Sequence, residues 1–372
     1  MNIKSRFCQN PKTTTLYNSQ VGALVVICSL AYKLSSLPSI VNEHLTSSTS
    51  WFFVLLTIVD TLSFTLLYAF FRDGGDEELK SNKWYKLGLV FLALFLGFKC
   101  VTFFSFAVLF FTVELYVGVP HIIVVLILIT PVVYLGVKGC SALARTAEIF
   151  VFMVFFIVVL NLAFLEADLD MGRNLPVFSM SPKDFLGHSL RYGTWLGNCF
   201  PLMFVKVKNK KLPYVSASYT LTQIITLIIV FIGVAMYGNS MKIIGNLLVE
   251  TSGFNQLSTE IGRMEWTALF VVIVTGIMEI AFLYYGVAEC SNRIFGNKLL
   301  LQIALPVTAV LSTTIPESPQ VVADFAHSKV AGGVMTAISV ILPVYFLVLK
   351  GWNRRSYLTK FNFVREIKEV TR

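Results

Sequence analysis

Five charged side chains stand where a strongly apolar chain should carry none: Lys33, Asp60, Lys99, Arg191 and Glu279. Each lies inside, or at the edge of, a run of hydrophobic residues. A charge at bilayer depth is costly and normally faces a cavity or an opposite charge. Lys99, in "LGFKCVTFF", and Glu279, in "GIMEIAFLYYG", fall near the middles of their runs. Their matching depth and opposite sign predict a Lys99–Glu279 pair. Lys33 lies within a polar interruption, where a cavity role competes with snorkelling of the ammonium to the interface. Asp60 reads as the partner of a neighbouring helix, and Arg191 as interfacial.

Two polar interruptions add a second kind of chemistry. "SLAYKLSSLP", Ser29 to Pro38, breaks the first apolar run, and "RYGTWLGNCFP", Arg191 to Pro201, breaks the sixth. Each holds a tyrosine, small or polar residues and a proline. A lone proline or glycine in a membrane helix more often marks a kink than a site. Two interruptions opening the two halves of a chain are instead the mark of transporters built from inverted repeats. An unwound stretch exposes N–H groups on one side and C=O groups on the other, and it survives at bilayer depth only where it lines a cavity. Those groups suit the carboxylate and ammonium of a zwitterion. The candidate ligand-binding residues are therefore Tyr32, Lys33, Ser35 and Ser36 in the first interruption. Tyr192, Gly193, Thr194, Gly197 and Asn198 belong to the second, and Lys99 and Glu279 complete the set.

The elements that must position these residues follow from composition. The chain has 372 residues, 56% of them hydrophobic and 14% charged, against about 25% charged in a soluble domain. Too few charges remain to cover a water-facing surface, so the reading is an all-α integral membrane protein. A span needs about 20 apolar residues, which gives about ten: 18–40, 51–71, 87–111, 121–137, 148–165, 188–205, 214–237, 266–287, 299–315 and 330–349. These are expected to form two inverted five-helix repeats, about 18–165 and 188–349, with helices one and six broken. Residues 1–17 and 350–372 become tails, and the basic, aromatic second tail suits an anchor on anionic lipid. Of the 30 Lys and Arg residues, 22 fall in the tails and alternate loops, which predicts that both termini are cytoplasmic. The polar stretch before the first span and the lack of a cleavage pattern argue against a removable signal.

Other classes are disfavoured. The net charge of +9 follows membrane orientation rather than forming a basic face for nucleic acid. The six cysteines and four histidines are scattered, with no CxxC, so neither a disulfide framework nor a metal site is expected. There is no intramembrane HExxH, no nucleophile–base constellation and no phosphate-cradling glycine loop. No enzymatic role and no cofactor are expected.

"LGVKGCSALARTAEIF", containing Gly139 to Glu148, followed by "GRNLPVF", with Asn174 to Val177, resembles the spore germination permeases. These are the multi-spanning B subunits of germinant receptors, within the amino acid–polyamine–organocation superfamily. "LSSLPSIV", "PLMFVKVKNKK", "IGRMEWTALFVVI" and "ILPVYFLVLKGWNRR" agree in order with that family's first, sixth, eighth and tenth spans. The resemblance implies a leucine-transporter-type fold and a receptor subunit that binds a small ligand, expected to be an amino acid. It also implies a spore inner membrane and partnership with A and C subunits. The alternative is a proton- or sodium-coupled amino acid transporter on the same scaffold. One departure stands out: where the family often has aromatic-Gly-Glu, this chain reads Leu196-Gly197-Asn198, so a fixed negative charge is missing. Lys33 also adds a positive charge where many relatives are apolar or small.

Overall fold

The computed structural model describes residues 15–40, 48–72, 79, 82–115, 118–163, 169–175, 181–205, 207, 212–238, 240, 246–253, 265–297, 299–314 and 318–370. Among the described residues, twelve α-helices follow one another: α1 Asn18–Ile40, α2 Thr49–Arg72, α3 Lys83–Phe110, α4 His121–Lys138, α5 Cys140–Ala163 and α6 Pro182–Ser189. The remainder are α7 Leu212–Tyr237, α8 Leu247–Gly253, α9 Glu265–Phe295, α10 Leu299–Thr313, α11 Ser318–Ala326 and α12 Lys329–Val370. Seven of them, α2, α3, α4, α5, α7, α9 and the first half of α12, are long and apolar enough to cross a membrane. The protein is a multi-pass membrane protein.

Its surface is apolar where a soluble protein's would be polar. Ile149, Phe152 and Phe156 on α5, Leu311 on α10, and Val330 and Ile341 on α12 are all exposed. The interior, by contrast, gathers Lys33, Asp60, Lys99 and Glu279, each no more than 1% exposed. This inversion is what a lipid solvent selects, since lipid gives apolar side chains no reason to turn inward.

Local sequence sets the element ends. Asn82 caps α3, its side chain accepting the Trp84 N–H at 2.9 Å, and α3 runs on through a π-helical turn, Phe111–Leu115. Gly139, at φ +85°, alone separates α4 from α5. Its left-handed backbone, which other residues rarely adopt, makes that reversal possible in a single residue. Ser181 caps α6 by accepting the Asp184 N–H.

α9 has 31 residues, about 46 Å at 1.5 Å per residue, and packs against α1, α3, α4 and α5. α1 packs in turn on α5 and α7. The broken sixth segment lies against α2, α9 and α12, so the central elements are α1, α3, the sixth segment and α9.

The sixth segment is broken as expected. α6 gives way to a 3-10 turn, Leu190–Trp195, then to extended backbone at Leu196, and then to a second 3-10 turn, Phe200–Phe204. The expected break in the first span is corrected: α1 is helical without interruption from Asn18 to Ile40. Two of its polar residues find partners without unwinding. Ser29 Oγ donates back to the Val25 carbonyl at 2.8 Å, and Lys33 reaches a carboxylate on α2. Pro38 falls in the last turn of the helix, where it ends the element rather than splitting it.

Candidate functional site

Asp60, on α2, is the hub of the buried polar centre. Its Oδ2 accepts from Lys33 Nζ at 2.8 Å, from Gln223 Nε2 at 3.1 Å and from the Tyr219 hydroxyl. Its Oδ1 accepts the backbone N–H of Gly197 at 2.8 Å. One carboxylate thus binds α1, α7 and the unwound part of the sixth segment together. Gly197 sits at φ +79°, and a Cβ there would lie 2.8 Å from the Phe95 ring. Only glycine suits both the backbone angle and the space.

Lys33 is doubly held. Besides Asp60, its ammonium donates to Gln223 Oε1 at 2.7 Å and lies 5.5 Å from the Trp195 ring centre and 5.8 Å from that of Tyr219. It is fully buried, so it does not snorkel. Tyr219 and Gln223 stand four residues apart on α7, on one helix face, which explains how both reach the same carboxylate.

Lys99 comes from the opposite side, on α3. Its ammonium donates to the Thr194 carbonyl at 2.9 Å, to the Leu196 carbonyl and to Asn198 Oδ1. The rings of Tyr32 and Phe95 face it with centres at 5.3 and 5.6 Å. The carbonyls are free for this purpose because the backbone there is not α-helical. The unwound segment therefore meets a carboxylate at an N–H and an ammonium at its carbonyls.

The expected Lys99–Glu279 pair does not form. Lys99 is committed to the sixth segment, whereas Glu279 Oε2 accepts the backbone N–H of Tyr32 at 3.0 Å. In an undisturbed helix that N–H would be held by the carbonyl four residues back. The polar stretch that the sequence suggested as a break in α1 thus meets the Glu279 carboxylate from a helix that continues through it. Among the described residues, the buried polar atoms without a hydrogen-bond partner include Glu279 Oε1, Asn198 Nδ2 and Trp195 Nε1.

Of the expected ligand-binding residues, Tyr32, Lys33, Lys99, Thr194, Gly197, Asn198 and Glu279 converge on this centre. Tyr192 and Gly193 do not. Tyr192 packs on Phe53, their ring centres 5.0 Å apart. A Cβ on Gly193 would lie 1.9 Å from the Gly332 carbonyl oxygen of α12, so its bareness serves helix packing. The side chains of Ser35 and Ser36 lie outside the described residues. Asp60, Trp195, Tyr219 and Gln223 were not among the expected site residues, although an acid inside an apolar span and an i, i+4 polar pair on α7 were visible signals.

Both ends of the bundle are tied. At one end Leu16 bridges Val207, and Gln20 Nε2 and Ser19 Oγ donate to Glu148 at 3.2 and 3.3 Å. At the other, Asn174 accepts from Ser50 Oγ at 2.5 Å and from Trp51 Nε1 at 3.0 Å, while Arg173 donates to the last carbonyls of α7. Two residues of the recognised sequence stretches, Glu148 and Asn174, therefore act in these end contacts and not at the centre.

Helices packed around a discontinuous sixth segment that meets buried charges from its neighbours define a transporter-type membrane fold. Its likeness to a solved structure agrees: a manganese transporter of Eremococcus coleocola, crystallised with an aromatic bis-isothiourea substituted compound, superposes with a TM-score of 0.56 at 12% identity. The match covers 93% of this chain and 82% of that one. At that identity the likeness concerns the fold and not the cargo, and among the described residues no group of three His, Cys, Asp or Glu side chains is placed to hold a metal ion. No curated protein matches the chain. The family described as spore germination protein matches over residues 15–322, and the chain belongs to that family.

Proposed function

We propose that this protein is the membrane-embedded, ligand-sensing subunit of a nutrient germinant receptor, and that its ligand is a small amino acid held at the centre just described. The observation that carries this reading is the set of partnerless buried polar atoms around the break. An unmade hydrogen bond at a buried group costs about 1–3 kcal/mol, so three together call for an explanation. Trp195 Nε1 and Asn198 Nδ2 are donors that suit a carboxylate, and Glu279 Oε1 is an acceptor open to a cation, so the centre can balance a molecule carrying both a carboxylate and an ammonium. With the ends of the bundle tied, such a ligand acts by favouring a conformer in which they part. It can do so only to the extent that it binds that conformer better.

Membership of the family supports an A-type and a C-type receptor subunit as partners and the spore inner membrane as the location. The Lys and Arg distribution supports cytoplasmic termini. The test is a thermal-shift screen of amino acids on the purified protein in nanodiscs, followed by uptake into proteoliposomes. A ligand that raises the midpoint of the wild type, raises that of Glu279→Gln much less and is not accumulated in vesicles is the expected result. Accumulation by this chain alone would instead make it a working transporter.

A further inference from the structure

The Lys99 ammonium has three N–H donors and meets three oxygens: the carbonyls of Thr194 and Leu196, and Asn198 Oδ1. The rings of Tyr32 and Phe95 close the remaining sides. None of these five groups carries a charge, and none depends on the rest of the lysine side chain. The shell is that of a recognition site for R–NH3+: a tripod of acceptors fits three donors, and aromatic faces attract a cation. A quaternary ammonium has no N–H to give the tripod.

We infer that this cradle is a binding site for a primary ammonium group and that Lys99 is its tethered occupant, so that a ligand's ammonium enters only by displacing Lys99. The displaced lysine has an acceptor close by. Among the described residues Glu279 Oε1 has no hydrogen-bond partner, and its carboxylate accepts the backbone N–H of the same Tyr32 whose ring faces Lys99. The inference takes from the proposed function only the use to which the cradle is put. The cradle itself rests on the geometry around Lys99.

Chemical rescue tests it without any germinant. Lys99→Ala leaves the tripod empty, and its thermal midpoint in detergent should fall. Ethylammonium chloride should restore at least half of that loss, while tetramethylammonium chloride and sodium chloride at equal ionic strength should not. Lys99→Met, whose side chain still fills the space, should fall similarly and stay down in every salt. The wild type, its cradle already filled, should show no ethylammonium-specific shift. If Lys99→Ala cannot be purified folded, its folded yield from ethylammonium buffer against tetramethylammonium buffer becomes the measurement, with the same expectation. Absence of rescue overturns the inference. So does rescue equal among the three salts, or an ethylammonium shift of equal size in the wild type or in Lys99→Met. A failed amino acid screen with successful rescue would remove the proposed ligand and keep the cradle; the reverse outcome would keep the ligand and remove the cradle.

Discussion

Asp60→Asn should lower the thermal midpoint of the purified protein sharply, by the equivalent of about 3–5 kcal/mol, because it leaves Lys33 buried without its counter-charge. The substitution keeps size and shape, so packing loss cannot account for the effect. Lys33 has one other polar partner, the neutral Gln223 side chain, and at full burial the amide cannot replace a carboxylate. The same change also weakens the acceptor for Gly197 N–H and for Tyr219, so the break in the sixth segment should loosen along with α7. Lys33→Met alone should cost a similar amount for the mirror reason, leaving Asp60 uncompensated. The informative variant is the double one. Replacing a buried pair as a whole is often close to neutral, so Lys33→Met combined with Asp60→Asn should be clearly less damaged than the sum of the singles. Midpoints that add would show that the two residues act independently, and the ion pair would lose its role as the lock between α1 and α2.

That lock also shows where sequence reading succeeds and where it stops. The bilayer solvent, the positions of the seven long apolar helices and the discontinuity of the sixth segment are visible in the sequence, because each leaves a local mark: apolar length, loop charge, and glycine and proline among polar residues. The charges were legible as anomalies but their partners were not. Lys99 and Glu279 were matched by depth along their helices, which says nothing about the azimuth at which each side chain leaves its helix axis. In the fold, Lys99 faces the sixth segment and Glu279 faces α1, and Asp60, which the sequence placed only against one neighbouring helix, gathers contacts from three elements. Pairing across helices is a property of the packed bundle, and no spacing along one chain encodes it. The polar run in α1 misled for a related reason. Its residues signalled something buried and polar, but side chains satisfied by other helices leave the same signature as a backbone that must unwind.

Gly193 makes the strongest separation between a residue that serves a ligand and one that serves packing. Its position inside the interrupted segment suggests a bare backbone that lets a ligand approach. In the structure that space is already filled: a Cβ there would stand 1.9 Å from the Gly332 carbonyl oxygen and 2.3 Å from Thr336 Oγ1. Reciprocally, a Cβ on Gly332 would lie 2.3 Å from the Leu190 carbonyl oxygen. The two glycines let the backbones of the sixth segment and α12 touch, as small residues do between membrane helices. A backbone oxygen cannot swing aside as a side chain can, so Gly193→Ala must push the whole segment off α12. Overpacking usually costs about 1–3 kcal/mol, and this site belongs at or above the upper end. Gly193→Ala should therefore reduce folded yield and thermal midpoint with no ligand present, and Gly332→Ala should do the same. Because the segment that moves also carries the Thr194 and Leu196 carbonyls, ligand binding should be lost together with stability. A Gly193→Ala protein that keeps the wild-type midpoint and loses only ligand binding would return this glycine to the site and remove it from the helix contact.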